Sequence, residues 1–275
     1  MKLRIGFSTC PNDTFIFDAL VNGKINAGAL EFIPLLSDVE ELNSLAIKAE
    51  LEVTKLSYHA YGHVSGKYMV LDSGSALGWG NGPLMVSKRK IYPDEVNHAK
   101  IAVPGELTTA NFLTGIAYPD AKNKKSYLFS DIEDVVLSDE ADIGVLIHEN
   151  RFTYHERGLK LIVDLGKFWE SETSMPIPLG GIMVRRDVPD YVKVKLEGLI
   201  RESIEFARGN PGSADNYMRK YASEMRKEIM NKHVDTFVNE YSLSLGKQGR
   251  AAVMKLLETG SRKDLFPNPP AKVFV

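Results

Sequence analysis

A chain of 275 residues with 34 Lys and Arg against 36 Asp and Glu carries a formal charge of −2, with 44% apolar and 25% charged residues. That balance offers no basic footprint for a polyphosphate, so nucleic acid is excluded as an expected partner and a small molecule is favoured. The single cysteine excludes an internal disulfide and a multi-cysteine zinc site.

Lys2, Arg4 and Cys10 together suggest a lipoprotein leader. Between Lys2 and the cysteine only Leu3, Ile5, Gly6 and Phe7 are apolar, well short of the roughly 7–15 apolar residues of a secretory signal. No window approaches the roughly 20 apolar residues of a membrane helix, so the expectation is a mature cytoplasmic protein with no membrane partner.

In chain order, Leu3–Ser8 predicts a first strand. Pro11-Asn12-Asp13-Thr14 is helix-start chemistry, with Asn12 or Asp13 as the cap of a helix that runs to a stop at Gly23. Leu30–Leu36 predicts a second strand, Asp38–Ile47 a helix, Leu51–Ser57 a third strand, and Tyr58–Val64 a helix. Two distant segments, Gly82–Arg89 and Gly180–Arg186, are both glycine-led apolar strands that end in basic residues. Between them alternate strands at Lys100–Val103, Tyr127–Phe129, Ile143–Ile147 and Leu161–Val163, with helices from Thr108 and near Ile132–Leu137. After Asp187 the pattern is helical, over Tyr191–Arg208, Gly212–Tyr221, Arg226–Tyr241 and Lys247–Thr259, followed by a Pro-rich tail.

This alternation predicts an α/β class. The economical organisation is an outer domain of residues 1–85 and 183–275 into which a second α/β domain, residues 86–182, is inserted. The alternative is one doubly wound sheet with the two glycine-led strands adjacent. In the two-domain form a ligand is expected in a cleft between the domains, at strand C-termini and helix N-termini.

G-x-x-x-x-G-K-[ST], H-E-x-x-H and G-x-S-x-G patterns are all missing. The glycine-rich Gly74–Gly82 precedes a strand and opens no helix, which is the wrong context for a dinucleotide; it is either a close-packed approach to the cleft or a plain loop. Two helix starts are candidate anion sites: Asn12, Asp13 and Thr14 in the outer domain, and Thr108, Thr109 and Ala110 after Pro104-Gly105 in the inserted one. Simple N-capping is the other account of both. Lys55, Leu56 and Ser57 end a strand, where Lys55 is placed to pair with a carboxylate. His59 and His63, four apart, are read as a helix face and not as metal ligands, and no metal site is expected. His148 follows the apolar run Ile143–Ile147, so it stands at a strand C-terminus, where a general base would be useful. A histidine satisfied at a domain edge is the alternative.

Taken together, Ser8–Phe15, Val53–Ser57, Pro104-Gly105 with Thr108–Ala110, Ile147-His148-Glu149 and Pro176–Gly181 resemble the 1,4-dihydroxy-6-naphthoate synthases of the futalosine route to menaquinone. Phe168–Met175 departs from the tryptophan-rich stretch of those enzymes. The resemblance implies a two-domain fold like the type II periplasmic binding proteins. It implies a cofactor-independent lyase that converts cyclic dehypoxanthinyl futalosine, a small carboxylate, to 1,4-dihydroxy-6-naphthoate and dihydroxyacetone. It implies His148 as proton acceptor, and Lys55, Leu56, Ser57, Thr109 and Ala110 as substrate contacts; the helix-start argument adds Asn12, Asp13, Thr14 and Thr108. The oligomeric state is left open, a homodimer included. The rival functions are a non-catalytic solute-binding protein for small anions and the related chorismate dehydratase.

Overall fold

The computed structural model describes residues 1–222 and 226–275. The chain opens with β1 (Lys2–Phe7), α1 (Pro11–Val21), β2 (Glu31–Leu36), α2 (Val39–Ile47), β3 (Val53–Ser57) and α3 (Tyr58–Val64). Three short strands follow: β4 (Tyr68–Val70), β5 (Ala76–Gly78) and β6 (Leu84–Ser87). Then come β7 (Ile101–Val103), α4 (Thr109–Ala117), β8 (Lys124–Ser126), α5 (Ile132–Leu137), β9 (Ile143–Leu146), α6 (Asn150–Thr153), β10 (Lys160–Asp164) and α7 (Leu165–Thr173). The long strand β11 (Ile177–Arg185) leads into α8 (Asp190–Gly209), α9 (Asp215–Tyr221), α10 (Lys227–Phe237), α11 (Glu240–Leu243) and α12 (Gly246–Arg262). Among the described residues no helix is long and apolar enough to cross a membrane.

The chain divides into two compact units, Met1–Gly78 with Pro178–Val275, and Trp79–Ile177. The crossings fall earlier than the expected 85 and 183. The two glycine-led strands explain this, because they belong to different sheets: β6 lies between β9 and β10, while β11 lies between β3 and β4.

In the first unit the sheet runs β2-β1-β3-β11-β4, with β5 on β11. The first three strands are parallel, and β11 is antiparallel to both of its neighbours. Alternation along β1 sends Leu3, Ile5 and Phe7 to one face, where they join Ile16, Phe17 and Leu20 of α1 and the α8 stripe Val192, Leu196, Leu199, Ile200 and Ile204. The rings of Phe7 and Phe17 stack with centroids 4.4 Å apart. Gly6, on the opposite face, has no room for a Cβ, which would meet Leu51 at 2.6 Å and Leu42 of α2 at 2.9 Å. Helices therefore cover both faces.

The edge strand β2 contains Pro34. The amides of Glu31 and Ser37 bond inward to β1, so the residue without an N–H falls among those that face outward, where it blocks further strand addition. Asn239 divides the expected Arg226–Tyr241 helix in two, because its side chain accepts the Tyr241 N–H at 2.9 Å and starts α11.

The second unit's sheet has the order β10-β6-β9-β7-β8, with β7 parallel to β8 and β9 and with β6 antiparallel to β9. The expected strand Tyr127–Phe129 lies three residues earlier, at Lys124–Ser126; it is an edge strand and carries lysines instead of an apolar run. Phe129 turns into a short 3₁₀ segment. The loosely matching Phe168–Met175 is mostly α7, whose Trp169 is buried and donates to the Pro176 carbonyl at 3.3 Å.

Glu52 ties three strands of the first sheet together. Its carboxylate accepts from the Arg4 backbone and guanidinium at 2.9–3.1 Å and pairs with Arg185 at 3.1 Å. The Arg4 side-chain hydrogen bond is the chief reason that its pKa is lowered to about 2 from 4.5. A depressed carboxylate pKa contributes stability above the unfolded value, and this is lost as pH falls toward the folded one. We therefore expect Glu52→Gln to cost about 1 kcal/mol at neutral pH in urea unfolding, and to remove much of the stability that the native chain loses between about pH 4.5 and 2.

Candidate functional site

In the first unit the turn from β1 to α1 presents a buried polar group. Cys10, not Asn12 or Asp13, occupies the N-cap position, with Pro11 as the first helical residue. This frees the two polar side chains for other partners. The Asp13 carboxylate, 2% exposed, takes the Ser8 N–H at 3.1 Å and the Ser8 hydroxyl at 2.7 Å on one oxygen. Its other oxygen takes the Asn12 amide at 2.9 Å and the Lys55 ammonium at 2.9 Å. The expected anion at this helix start is thus matched by the protein's own carboxylate. Thr14 is fully buried, and its hydroxyl donates to the Cys10 carbonyl at 3.0 Å.

Lys55, 5% exposed, also donates to the Gly74 carbonyl at 3.1 Å. Of its three N–H donors, two are used among the described residues and one is left for a ligand. Leu56 is fully buried, and its carbonyl lies where β11 comes close: a Cβ on Gly180 would meet it at 2.7 Å. Ser57 is held by Asn43, which accepts the Ser57 N–H at 3.1 Å and donates to its hydroxyl oxygen at 3.3 Å, so the hydroxyl proton faces elsewhere. Next to it, burial pushes the Tyr58 phenol upward, so it stays neutral while it shares a 2.7 Å hydrogen bond with Ser75. Both ends of the glycine-rich stretch are close-packed: Gly74 stands at φ +90°, where a Cβ would strike Ile182, and a Cβ on Gly82 would strike the Gly166 backbone.

In the second unit, parallel β7 and β9 bring their C-terminal ends to one edge of the sheet, and the antiparallel β6 begins at that same edge. From β7 the chain passes through Pro104-Gly105 into α4. Thr108 caps this helix, accepting the Asn111 N–H at 3.2 Å and donating to the Gly105 carbonyl at 2.8 Å. Thr109 and Ala110, both buried, form a first turn that contains no acidic residue.

From β9 the chain reaches His148, whose φ of +58° is left-handed, a conformation that costs a non-glycine residue roughly 1–2 kcal/mol. Its ring stands edge-on to Phe129 with centroids 4.6 Å apart. Arg151, beyond it, donates to the Gly80 carbonyl at 3.0 Å, and burial lowers its pKa. Between that carbonyl and β6 lies Asn81, 2% exposed, with neither amide atom hydrogen-bonded among the described residues. Sequence reasoning missed Asn81; its only signal was membership of the glycine-rich stretch.

Two features stand apart from these clusters. His59 and His63 pack on Phe266, with centroids 6.0 and 5.5 Å away. A cavity of about 440 Å³ in the first unit, bordered by Phe15, Arg208, Asp215, Met218, Lys227 and Asn231, contains none of the sequence-predicted residues.

With the geometry in place, comparisons with known proteins bear on the family. Residues 3–262 match a family model described as menaquinone biosynthesis. A 1,4-dihydroxy-6-naphtoate synthase of Thermus thermophilus is 41% identical over 273 residues, 99% of each chain. One of Streptomyces coelicolor is 34% identical over 279 residues, covering 99% of this chain and 98% of that one. A crystal structure of an Archaeoglobus fulgidus protein superposes with a TM-score of 0.91 at 37% identity, over 96% and 98% of the two chains. The periplasmic aliphatic sulphonate binding protein of Escherichia coli, 8% identical with a TM-score of 0.68 over 100% and 92%, shares the fold alone. The chain has a periplasmic-binding-protein-like fold and belongs to the menaquinone-biosynthesis family of the 1,4-dihydroxy-6-naphtoate synthases.

Proposed function

We propose that the protein is a carbon–carbon lyase that converts cyclic dehypoxanthinyl futalosine to 1,4-dihydroxy-6-naphthoate and dihydroxyacetone, with His148 as general base. The observation that carries this reading is the juxtaposition, at one edge of the second sheet, of a histidine held at positive φ and a helix start with no acidic residue in its first turn. The substrate has a carboxylate on its aromatic ring and hydroxyls on a saturated ring, so it needs an anion site and a base. The α4 N-terminus with Thr108, Thr109 and Ala110 supplies the first, and His148 the second.

In this mechanism His148 takes a hydroxyl proton, the alkoxide collapses to a carbonyl, and the carbon–carbon bond breaks. Its electron pair passes into the ring that becomes aromatic, and aromatisation drives the step. Positioning and proton transfer are the protein's main contributions, the latter worth roughly 10²–10⁴-fold. Within the first unit, Lys55 has one N–H in hand and Ser57 its hydroxyl proton, which suits each to the substrate contact that the resemblance implies for it. The chemistry calls for no cofactor, and we place it in the cytoplasm. A solute-binding role offers no reason for a strained histidine at a strand end.

Incubation of the purified protein with cyclic dehypoxanthinyl futalosine, followed by mass and absorbance, should yield the naphthoate. His148→Asn should lower kcat by about 10²–10⁴-fold with KM changed only a few-fold. Full turnover by that variant would show that another group is the base, and no product from the native protein would refute the reaction. Asn81→Leu should raise KM about tenfold with kcat nearly unchanged, the loss expected for a hydrogen bond made to substrate and transition state alike. An unchanged KM would remove Asn81 from the site.

A further inference from the structure

His233 of α10 is fully buried in the first unit and enters none of the chemistry above. Its Nε2 lies 2.9 Å from Oδ1 of Asn12, 221 positions earlier in the chain. The direction of each hydrogen bond follows from the donors and acceptors available. The Asp13 carboxylate only accepts, so Asn12 must turn its NH₂ group toward Asp13 and its carbonyl oxygen toward His233. That oxygen also only accepts, so His233 presents a protonated Nε2. The ring is held in the α1–α10 packing against Phe237, with centroids 4.6 Å apart.

A single line of hydrogen bonds therefore runs from His233 N–H to the Asn12 oxygen and from the Asn12 NH₂ to Asp13 Oδ1, which also accepts from the Lys55 ammonium at 2.9 Å. Asn12 and Lys55 share one carboxylate oxygen, while Ser8 occupies the other. Were the Asn12 amide to turn over, its carbonyl oxygen would face Asp13 Oδ1 and repel it. The carboxylate would then shift, and the ammonium with it.

We infer that His233 is a positioning residue for Lys55: by fixing the orientation of the Asn12 amide, it sets Asp13 and through it the direction of the one Lys55 N–H left for substrate. The inference rests on the reading of Lys55 as a substrate contact. Glutamine at 233 could offer an amide N–H in place of the ring N–H, whereas leucine fills similar space without a donor.

The test compares steady-state kinetics of the full chain with cyclic dehypoxanthinyl futalosine for the native protein, Lys55→Met, His233→Leu, His233→Gln, Asn12→Leu and the Asn12→Leu/His233→Leu double variant, each checked by thermal melting. We expect His233→Leu to raise KM about tenfold with kcat within about threefold, and His233→Gln to stay within about threefold of native KM. The double variant should bind no worse than Asn12→Leu alone, because His233 acts only through Asn12. If Lys55→Met raises KM while His233→Leu merely lowers the melting temperature, His233 is structural and the inference fails. If Lys55→Met leaves KM unchanged, the reading of Lys55 fails and takes the inference with it. Should His233→Leu not fold, the inference stands or falls on whether Asn12→Leu raises KM and His233→Gln keeps it native.

Discussion

A carboxylate and an ammonium removed from water stay charged only if their lone pairs and protons are met, and the first unit is organised around one such pair, Asp13 and Lys55. Meeting that requirement recruits parts of the chain that are far apart. Ser8 comes from the end of β1, Asn12 from the first turn of α1, and Gly74 from the loop before β5. His233 closes the network from α10. The capping arrangement of α1 follows from the same demand: Cys10 takes the cap position, so Asp13 can turn toward Lys55 and Asn12 can bridge Asp13 and His233. Gly180 has a similar role on the other side, because only a residue without a side chain lets β11 lie against the carbonyl of Leu56.

The second unit meets its requirements with backbone geometry instead of buried charge. Two parallel strands end together, one in the Pro104-Gly105 turn and a helix start, the other in His148. The helix start brings oriented N–H groups, while the left-handed backbone of His148 redirects the chain immediately after β9. The close backbone contact of Gly82 with Gly166 anchors the segment that carries Asn81 to the same unit. Strand polarity thus places His148 and the start of α4 at one edge without long loops.

Much of this was legible in the sequence because it was local. Strand alternation in Leu3–Phe7, the cap at Thr108 and the apolar run before His148 depend on neighbours within a few residues, and the structure has β1, the capped α4 and β9 at those places. What escaped is non-local or depends on edge position. The alliance of Asn12 with His233 spans 221 positions and leaves no periodic trace. The edge strand Lys124–Ser126 is polar because one side is open, so an apolar criterion looked three residues too late. The resemblance of the Gly82 and Gly180 segments concealed that they pair in different sheets, since glycine-led apolar runs suit any crowded strand.

In the proposed reaction the edge of the second sheet binds the substrate carboxylate at α4 and presents a hydroxyl to His148. A crystal structure of the protein with 1,4-dihydroxy-6-naphthoate bound tests it most directly. The carboxylate is expected within hydrogen-bond reach of the Thr109 and Ala110 amides, with the ring hydroxyls turned toward His148. Product seated instead in the cavity bordered by Phe15, Arg208 and Lys227, or with its carboxylate directed away from α4, would contradict it.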